Sequence, residues 1–148
     1  MKDIIKERIL MLDGALGTMI QQYGLTEADF RGEEFKNHPV KLEGNNDILV
    51  LTRPDIISNI HRQYLEAGAD IIETCTFNSQ AISQTEYQTT DFVYRINLEA
   101  ARLARQEADR MTALTPDRPR FVAGSVGPTA KMTSMSPDVE NPALRAVD

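Results

Sequence analysis

Apolar and polar residues follow one arrangement three times along the chain: a short apolar run, a polar tip rich in glycine or hydroxyl residues, and then a helical pattern or a loop. The first run, 9–12, has no polar alternation, which predicts a strand buried on both faces of a parallel sheet. The other two runs lie within 69–79 and 121–125. Strand, helix and strand in this order are typical of βαβ units, so the pattern predicts an α/β fold with parallel strands.

Between the first two strands the chain carries a short helix and an irregular stretch. Residues 18–23 have helical spacing and precede Gly24, which suits the left-handed residue that often ends a helix. The pattern is lost over 25–42, which predicts an excursion over the surface with solvated Glu and Lys side chains and His38 at the surface. Its expected anchors in the core are Phe30, Phe35 and Val40.

The second helix has the clearest boundaries in the sequence. Thr52 is its predicted N-cap, with Pro54 in the first turn and Asp55 placed as in a capping box. Gly68 is predicted to end the helix, and His61 falls between the apolar stripe and solvent, where it is expected to be structural. The stripe consists of Ile56, Ile57, Ile60, Tyr64 and Ala67.

The third helix is the longest, with Asp91 as its predicted N-cap and an end near Met111. After it, 115–120 is a predicted turn and linker, while 131–148 has no sustained period and is expected to be loop or disordered. Its apolar stripe comprises Phe92, Val93, Ile96, Ala100, Leu103 and Ala104. The residues expected to face water are Arg95, Glu99, Arg102, Arg105 and Glu107.

Polar residues follow the first strand directly. Asp13 stands at its carboxyl end, where parallel α/β folds place their ligand sites. Gly14 and Gly17 let the backbone approach a small ligand closely, and Thr18 can present a hydroxyl or cap the next helix. The same residues also suit a plain turn between strand and helix, so this stretch alone leaves both interpretations open.

The tip of the second strand is crowded with hydrogen-bonding groups, which are poor core material unless something polar sits there. We therefore expect this tip to lie at the same sheet edge as Asp13, and the glycine and hydroxyl residues of 126–129 end the third strand in the same way. Cys75 lies among them without a histidine at a recognisable offset, so it is expected only to pack. The crowded tip comprises Glu73, Thr74, Thr76, Asn78 and Ser79.

Residues 43–51 combine a turn cluster with four apolar residues. Asn45, Asn46 and Asp47 can satisfy their own backbone as a plain loop, or they can lie near the mouth of a pocket. The sequence by itself favours the plain loop.

Composition narrows the classes of function. With 148 residues, 41% apolar and 26% charged, the chain has the size and make-up of a soluble domain, expected as one unit over 1–148. A net charge of −6 with mixed signs offers no basic stripe for nucleic acid. No apolar run approaches the roughly 20 residues that span a bilayer, and the charged amino terminus is unlike a signal peptide, so we expect a cytoplasmic protein. One cysteine excludes an internal disulfide and cannot by itself form a structural zinc site.

Four motifs stand in order along nearly the whole chain, at 13–18, 44–52, 68–78 and 124–129. Singly each is weak, whereas the ordered set is specific. Together they resemble the homocysteine S-methyltransferase family, in particular the amino-terminal homocysteine-binding module of its cobalamin-dependent methionine synthase branch.

This resemblance implies a parallel (β/α)8 TIM barrel with homocysteine at the carboxyl ends of the strands, the chain being the first three or so β/α units. In that branch zinc binds the homocysteine thiolate, which takes a methyl group from methylcobalamin; 5-methyltetrahydrofolate recharges the cobalamin, and the product is methionine. Zinc removes the thiol proton and holds the sulfur ready for attack. The matching substrate-binding positions are Asp13, Gly14, Ala15, Gly17, Thr18, Thr76, Phe77 and Ser125.

The resemblance also implies what the chain lacks. Three zinc-binding cysteines and a glutamate that helps hold the substrate amine belong to later strands, so the ligand cysteines are expected beyond Asp148. Cys75 stands where the family usually has Asn. A complete barrel takes about 250 residues, so we expect an inactive fragment with no catalytic or metal-binding residue of its own.

The expected partners follow from the same resemblance. They are homocysteine, the remainder of the barrel and downstream folate and cobalamin modules. An uncovered sheet edge would also invite association with another copy.

Two other interpretations remain. A relative within the same family would take its methyl group from betaine or S-methylmethionine. Alternatively, the chain could be a self-contained flavodoxin-like domain that binds a small polar ligand without chemistry. Three strands are few for such a domain, and the expected glycine-rich phosphate loop is missing.

Overall fold

The computed structural model of the chain describes residues 3–129 and 138–144. Short 3-10 turns occur at Ile4–Lys6, Asn46–Ile48 and Thr90–Phe92. The described helices are α1 (Leu16–Gln21), α2 (Glu27–Arg31), α3 (Leu49–Thr52), α4 (Pro54–Glu66), α5 (Ala81–Gln84) and α6 (Val93–Leu114), and the strands are β1 (Ile71–Glu73) and β2 (Phe121–Ala123). Among the described helices, none has the length and apolar character needed to cross a bilayer.

The tail predicted to be loop or disordered falls mostly outside the described residues, at 131–137 and 145–148. Its described part consists of two turns. Asp148, beyond which the resemblance implies the zinc-binding cysteines, also lies outside the described residues. The expectation of ligand cysteines beyond Asp148 therefore stays a prediction.

The sheet is parallel, as the alternation of strands and helices predicted. β1 pairs with β2 so that Ile71 lies opposite Phe121. On the other side of β1, Leu12 forms a parallel bridge with Ile71. The backbone N–H of Asp13 donates to the carbonyl of Ile71 at 2.9 Å. Three segments therefore lie side by side in chain order, although only two of them are long enough to count as strands.

The first segment is much more exposed than its sequence predicts. Ile9, Met11 and Leu12 are 85%, 57% and 52% exposed, so the prediction of a strand buried on both faces was wrong. The segment pairs with β1 along one edge only, and the described residues do not cover its faces. An apolar run indicates that a segment favours burial. The segment is buried only if another element packs against it.

The core lies between the sheet and the two long helices. α6 packs against α4 through small side chains four residues apart, Ala100, Ala104 and Ala108, all fully buried. Such small residues let the backbones of two helices approach closely. The larger buried residues that fill the core around them include Leu42, Ile48, Leu49, Ile57, Ile60, Leu65, Ile72 and Ile96.

The helix boundaries differ from the predicted caps. α4 begins at Pro54 after Arg53, whose φ of −136° and ψ of 56° break the helix. The residue before a proline avoids helical dihedrals because the proline ring would clash with it. Thr52 therefore ends α3, and its buried hydroxyl has no partner among the described residues, so it is not the predicted cap. Asp91 likewise lies inside a 3-10 turn that precedes α6.

The excursion over 25–42 is more ordered than its irregular sequence indicates. A capping box opens α2, in which the backbone N–H of Thr26 donates to Asp29 at 2.9 Å. The Glu27 carboxylate, expected to be solvated, accepts hydrogen bonds from Arg31 and from two backbone N–H groups. His38 is half-buried and donates from Nε2 to the carbonyl of Tyr87 at 2.7 Å. Of the predicted anchors, Phe30 and Phe35 are buried and Val40 is half-buried.

Two polar residues lie inside the α4 and α6 packing, contrary to prediction. Glu107, expected to face water, is only 4% exposed and forms ion pairs with Arg62 at 3.0 Å and Arg110 at 3.0 Å. His61, expected beside the solvent, is fully buried, and neither ring nitrogen has a hydrogen-bond partner among the described residues. Burial lowers the pKa of His61 to about 4 because the charged imidazolium loses its hydration.

We expect His61→Leu to remove a pH dependence of stability. The pKa of His61 is lower in the folded chain than in the unfolded chain. The unfolded chain therefore takes up a proton first as the pH falls, and the free energy of unfolding drops by about 3 kcal/mol between pH 6.5 and 4. Urea unfolding at several pH values would measure this drop in the unchanged chain and its loss in the variant. Parallel pH curves for the two chains would contradict the prediction.

Candidate ligand-binding cleft

The main cleft lies at the carboxyl ends of β1, of β2 and of the segment that ends at Asp13. Its volume is about 480 Å³. The polar tips that follow the three segments therefore lie together, as expected for parallel strands. The cleft is lined by Asp13, Gly14, Ala15, Leu16, Gly17, Asn46, Asp47, Glu73, Thr74, Cys75, Thr76, Phe77, Asn78 and Ser125.

Asp13 carries the one buried carboxylate oxygen that lacks a partner among the described side chains. Its Oδ2 accepts the backbone N–H of Glu73 at 3.0 Å, whereas the buried Oδ1 accepts nothing. Burial raises the pKa of Asp13 to about 6, against a smaller opposing effect of the Glu73 N–H. A buried acceptor left unsatisfied is costly unless a ligand supplies the donor. The geometry therefore suits a ligand that carries an ammonium group.

The loop after Asp13 lies against the side chain of Tyr64 from α4. The Tyr64 hydroxyl donates to the carbonyl of Ala15 at 3.2 Å, and a Cβ on Gly14 would lie 3.1 Å from that hydroxyl oxygen. A glycine at this position therefore lets the loop approach Tyr64 closely. α1 begins at Leu16 without a side-chain cap, so Thr18 is not the predicted cap and instead lies exposed inside the helix, away from the cleft.

Hydroxyl groups join the tips of β1 and β2. The Thr76 hydroxyl donates to the carbonyl of Ser125 at 2.7 Å, and the backbone N–H of Ser125 donates to Thr74 Oγ1 at 3.0 Å. The two threonine oxygens are 2.7 Å apart. Because the Thr76 proton is used on Ser125, the Thr74 hydroxyl must be the donor between them. This closed chain of hydrogen bonds holds the wall of the cleft together.

A second contact between these loops requires a glycine. The backbone N–H of Gly127 donates to the carbonyl of Phe77 at 2.9 Å. A Cβ at Gly127 would lie 2.5 Å from that carbonyl oxygen, closer than real Cβ atoms approach backbone. Gly127 thus lets the third tip pack on the loop that carries Phe77, whose ring is 53% exposed at the cleft.

The turn at 44–47 behaves differently from the plain loop that the sequence favours. Asn46 and Asp47 line the cleft, whereas Asn45 lies behind it and donates to Gln84 Oε1 at 2.9 Å. Asp47 accepts hydrogen bonds from the loop after β1 rather than from its own backbone. The prediction that these side chains satisfy their own turn was therefore wrong. The local pattern holds no signal for this contact, since the partners come from a distant part of the chain.

Cys75 packs as the sequence indicated. Its side chain is buried, and the thiol donates weakly to the carbonyl of Asn46 at 3.5 Å and to Asp47 at 3.7 Å. Burial and the nearby Asp47 carboxylate raise the pKa of the Cys75 thiol well above its ordinary value. The sulfur therefore stays protonated at neutral pH and is unsuited to act as a nucleophile or a metal ligand.

The cleft gathers seven of the eight residues that the resemblance matched to a substrate site. The exception is Thr18. Their role in binding stays a prediction. Four lining residues belong neither to the matched substrate-binding positions nor to the polar tip of the second strand: Leu16, Asn46, Asp47 and Cys75.

Comparison with known proteins identifies the family. The model of the family described as homocysteine S-methyltransferase matches residues 10–147. Crystal structures of the homocysteine methyltransferase MmuM from Escherichia coli share the fold in the metallated and the oxidized form. The TM-score is 0.65 for each, at 22% and 24% sequence identity over 85% and 84% of this chain. The chain spans about 40% of the length of these proteins. This chain therefore belongs to the homocysteine S-methyltransferase family.

Proposed function

We propose that this chain forms the part of a homocysteine methyltransferase that binds the amino acid end of homocysteine, on the way to methionine. The observation that supports this most strongly is the unpartnered Oδ1 of Asp13 at the cleft. An α-ammonium group supplies the donor and the positive charge that this oxygen lacks. Among the described residues, the mixed apolar and polar lining of the cleft also suits a small amino acid with a short apolar side chain.

In this proposal Asp13 holds the substrate in place and takes no part in bond making. The ammonium group donates to Oδ1 while the Glu73 N–H keeps Oδ2 in position. Backbone N–H groups around Gly14 and Gly17 and the hydroxyl of Ser125 are the candidate donors for the substrate carboxylate, since the Thr76 proton is used within the protein. Phe77 offers an apolar surface for the side-chain methylenes. Since an ammonium partner favours ionised Asp13, binding is expected to be stronger above the pKa of about 6 than below it.

We further propose that the three side-by-side segments are the first units of the (β/α)8 barrel and that 1–148 is one part of that domain. The parallel order along the chain supports this, as does the exposure of Ile9, Met11 and Leu12 on a segment that a complete barrel would cover. The remaining strands, or a second copy of the chain, would then bury this surface. An uncovered edge and apolar face favour such association.

The residues described here do not fit a zinc site. No group of three potential ligands occurs among them, and the one cysteine is a buried protonated thiol. We therefore derive no step through zinc from this chain. If zinc activates the homocysteine thiol, as in the cobalamin-dependent branch, its ligands are the cysteines expected beyond Asp148. The methyl donor, whether methylcobalamin, betaine or S-methylmethionine, would also meet the substrate in the complete enzyme.

The experiment that tests the proposal compares two ligands that differ only in the α-ammonium group. L-homocysteine is expected to bind the chain with a dissociation constant of roughly 1 mM at pH 7.5, by calorimetry. 4-Mercaptobutanoate, which keeps the thiol and the carboxylate, is expected to bind at least about tenfold more weakly because it leaves Asp13 unpaired. Adding zinc is expected to leave both affinities unchanged. Equal affinities for the two ligands, or no homocysteine binding, would refute the proposal.

A further inference from the structure

Of the three carboxylate residues that line the cleft, Asp13 and Asp47 are used in opposite ways. Asp13 has a buried oxygen without a partner, whereas both oxygens of Asp47 are occupied by the protein. The backbone N–H of Asn78 donates to Asp47 Oδ2 at 2.6 Å, and the Ser79 hydroxyl donates to the same oxygen at 3.0 Å. The Cys75 thiol donates to Oδ1 at 3.7 Å. Asp47 is therefore committed to one loop, that of residues 75–79, and not to a ligand.

Asp47 itself lies beside fully buried residues of the core. It belongs to the 3-10 turn Asn46–Ile48, and this turn runs directly into α3. Ile48 and Leu49 are fully buried in the core, which fixes the position of the turn. The Asp47 side chain thus connects a packed part of the fold to a loop that follows a strand of three residues.

The loop that Asp47 holds carries two of the predicted substrate-binding residues. Thr76 and Phe77 line the cleft immediately before the contact at Asn78. The loop has further ties, since Asn97 of α6 donates to the carbonyl of Ser79 at 2.7 Å. The Thr76 hydroxyl donates to the carbonyl of Ser125, whereas Asp47 accepts the hydrogen bonds of the Asn78 N–H and the Ser79 hydroxyl at the end of the loop.

We propose that Asp47 is a positioning residue, whose carboxylate holds the 75–79 loop in the conformation that places Thr76 and Phe77 at the cleft. Its effect on homocysteine affinity rests on the proposed function, whereas its effect on the loop does not. Burial raises the pKa of Asp47, against the opposing effect of its three donors, so the buried charge costs stability that the loop contacts offset only in part. Removing the charge should therefore free the loop without unfolding the chain.

The chain contains no tryptophan, so a single one can report on this loop. In a Phe77→Trp background, Asp47→Asn is compared with Asp55→Asn, which removes the same charge from an exposed ion pair with Arg53. We expect Asp47→Asn to lower the fluorescence anisotropy of the tryptophan and to raise its quenching by acrylamide at least about twofold. Without that background, Asp47→Asn should weaken homocysteine binding at least about tenfold, as expected for the loss of a charge-assisted hydrogen bond. Asp55→Asn should change neither the tryptophan fluorescence nor homocysteine binding. The melting temperatures of both variants should stay close to those of their parent chains.

The outcomes separate the two proposals. Unchanged anisotropy and quenching in Asp47→Asn would overturn the positioning role, whatever the binding data show. A freed loop together with no homocysteine binding in any chain would leave the positioning role intact and refute the proposed function. If Asp47→Asn unfolds the chain, Ser79→Ala removes only one donor and is expected to give an intermediate gain in quenching. No change in Ser79→Ala would then show that Asp47 is needed only for folding.

Discussion

Replacing Asp70 with alanine is expected to lower the free energy of unfolding by about 2–3 kcal/mol, because the partly exposed Arg8 and Arg118 lose the buried carboxylate that accepts their hydrogen bonds. The Asp70 side chain is fully buried. It accepts two hydrogen bonds from Arg8, at 2.8 and 2.9 Å, and one from Arg118 at 2.8 Å. The backbone N–H of Met11 donates to it at 2.9 Å. One carboxylate therefore ties the first segment, the start of β1 and the turn before β2 together.

The measurement is urea unfolding at neutral pH, with Asp109→Ala as control. Asp109 pairs with Arg105 on the surface at 68% side-chain exposure, and such pairs contribute less than about 1 kcal/mol. The arginine contacts hold the pKa of Asp70 well below its usual range, so its contribution is present at neutral pH and is lost as the pH falls below about 4. Similar small losses in both variants would contradict the assignment of Asp70 as the main tie at this end of the sheet.

Asp13→Asn is expected to abolish homocysteine binding and at the same time to stabilise the free chain. Binding should weaken at least about 100-fold, since the ammonium group loses a desolvated ionic partner. The pKa of Asp13 is raised in the folded chain to about 6, so the folded chain holds its proton longer than the unfolded chain as the pH rises. The free energy of unfolding therefore falls as the pH rises from about 4 to 6. At pH 7.5 the variant avoids this cost, which is about 1–2 kcal/mol after allowance for partial exposure.

Calorimetry with L-homocysteine and urea unfolding at pH 5 and 7.5 test the two effects on one protein. Glu73→Gln serves as the matched control, because it removes a negative charge from the same cleft and keeps the Asp13 Oδ1 acceptor. If the cleft only attracts cations by its net charge, both variants will weaken binding alike, and the specific role of Asp13 will be refuted. A loss of stability in Asp13→Asn would show that its carboxylate serves the fold.

Much of the lining of the cleft could be predicted because parallel strands bring distant residues to one edge. Asp13, Thr76 and Ser125 follow three separate apolar runs, and a parallel sheet places the ends of such runs together. Predictions of a helix boundary were wrong where two local effects favour different boundary residues. Thr52 has the chemistry of a cap, yet the dihedral restriction that Pro54 imposes on Arg53 sets the break one residue later.

The sequence by itself determined the parallel order of the segments, the two long helices and the polar residues that end each segment, because periodicity and turn chemistry act over a few neighbouring residues. Only the tertiary structure decided which of those residues share a cleft and which bind each other. Asp47 and its donor Asn78 are 31 residues apart, and Arg8 and Asp70 are 62 residues apart. It also decided that His61 and Glu107 are buried between helices, whereas Ile9 remains exposed. A local pattern states which surfaces favour burial, but burial occurs only where the folded chain brings a second surface against the first.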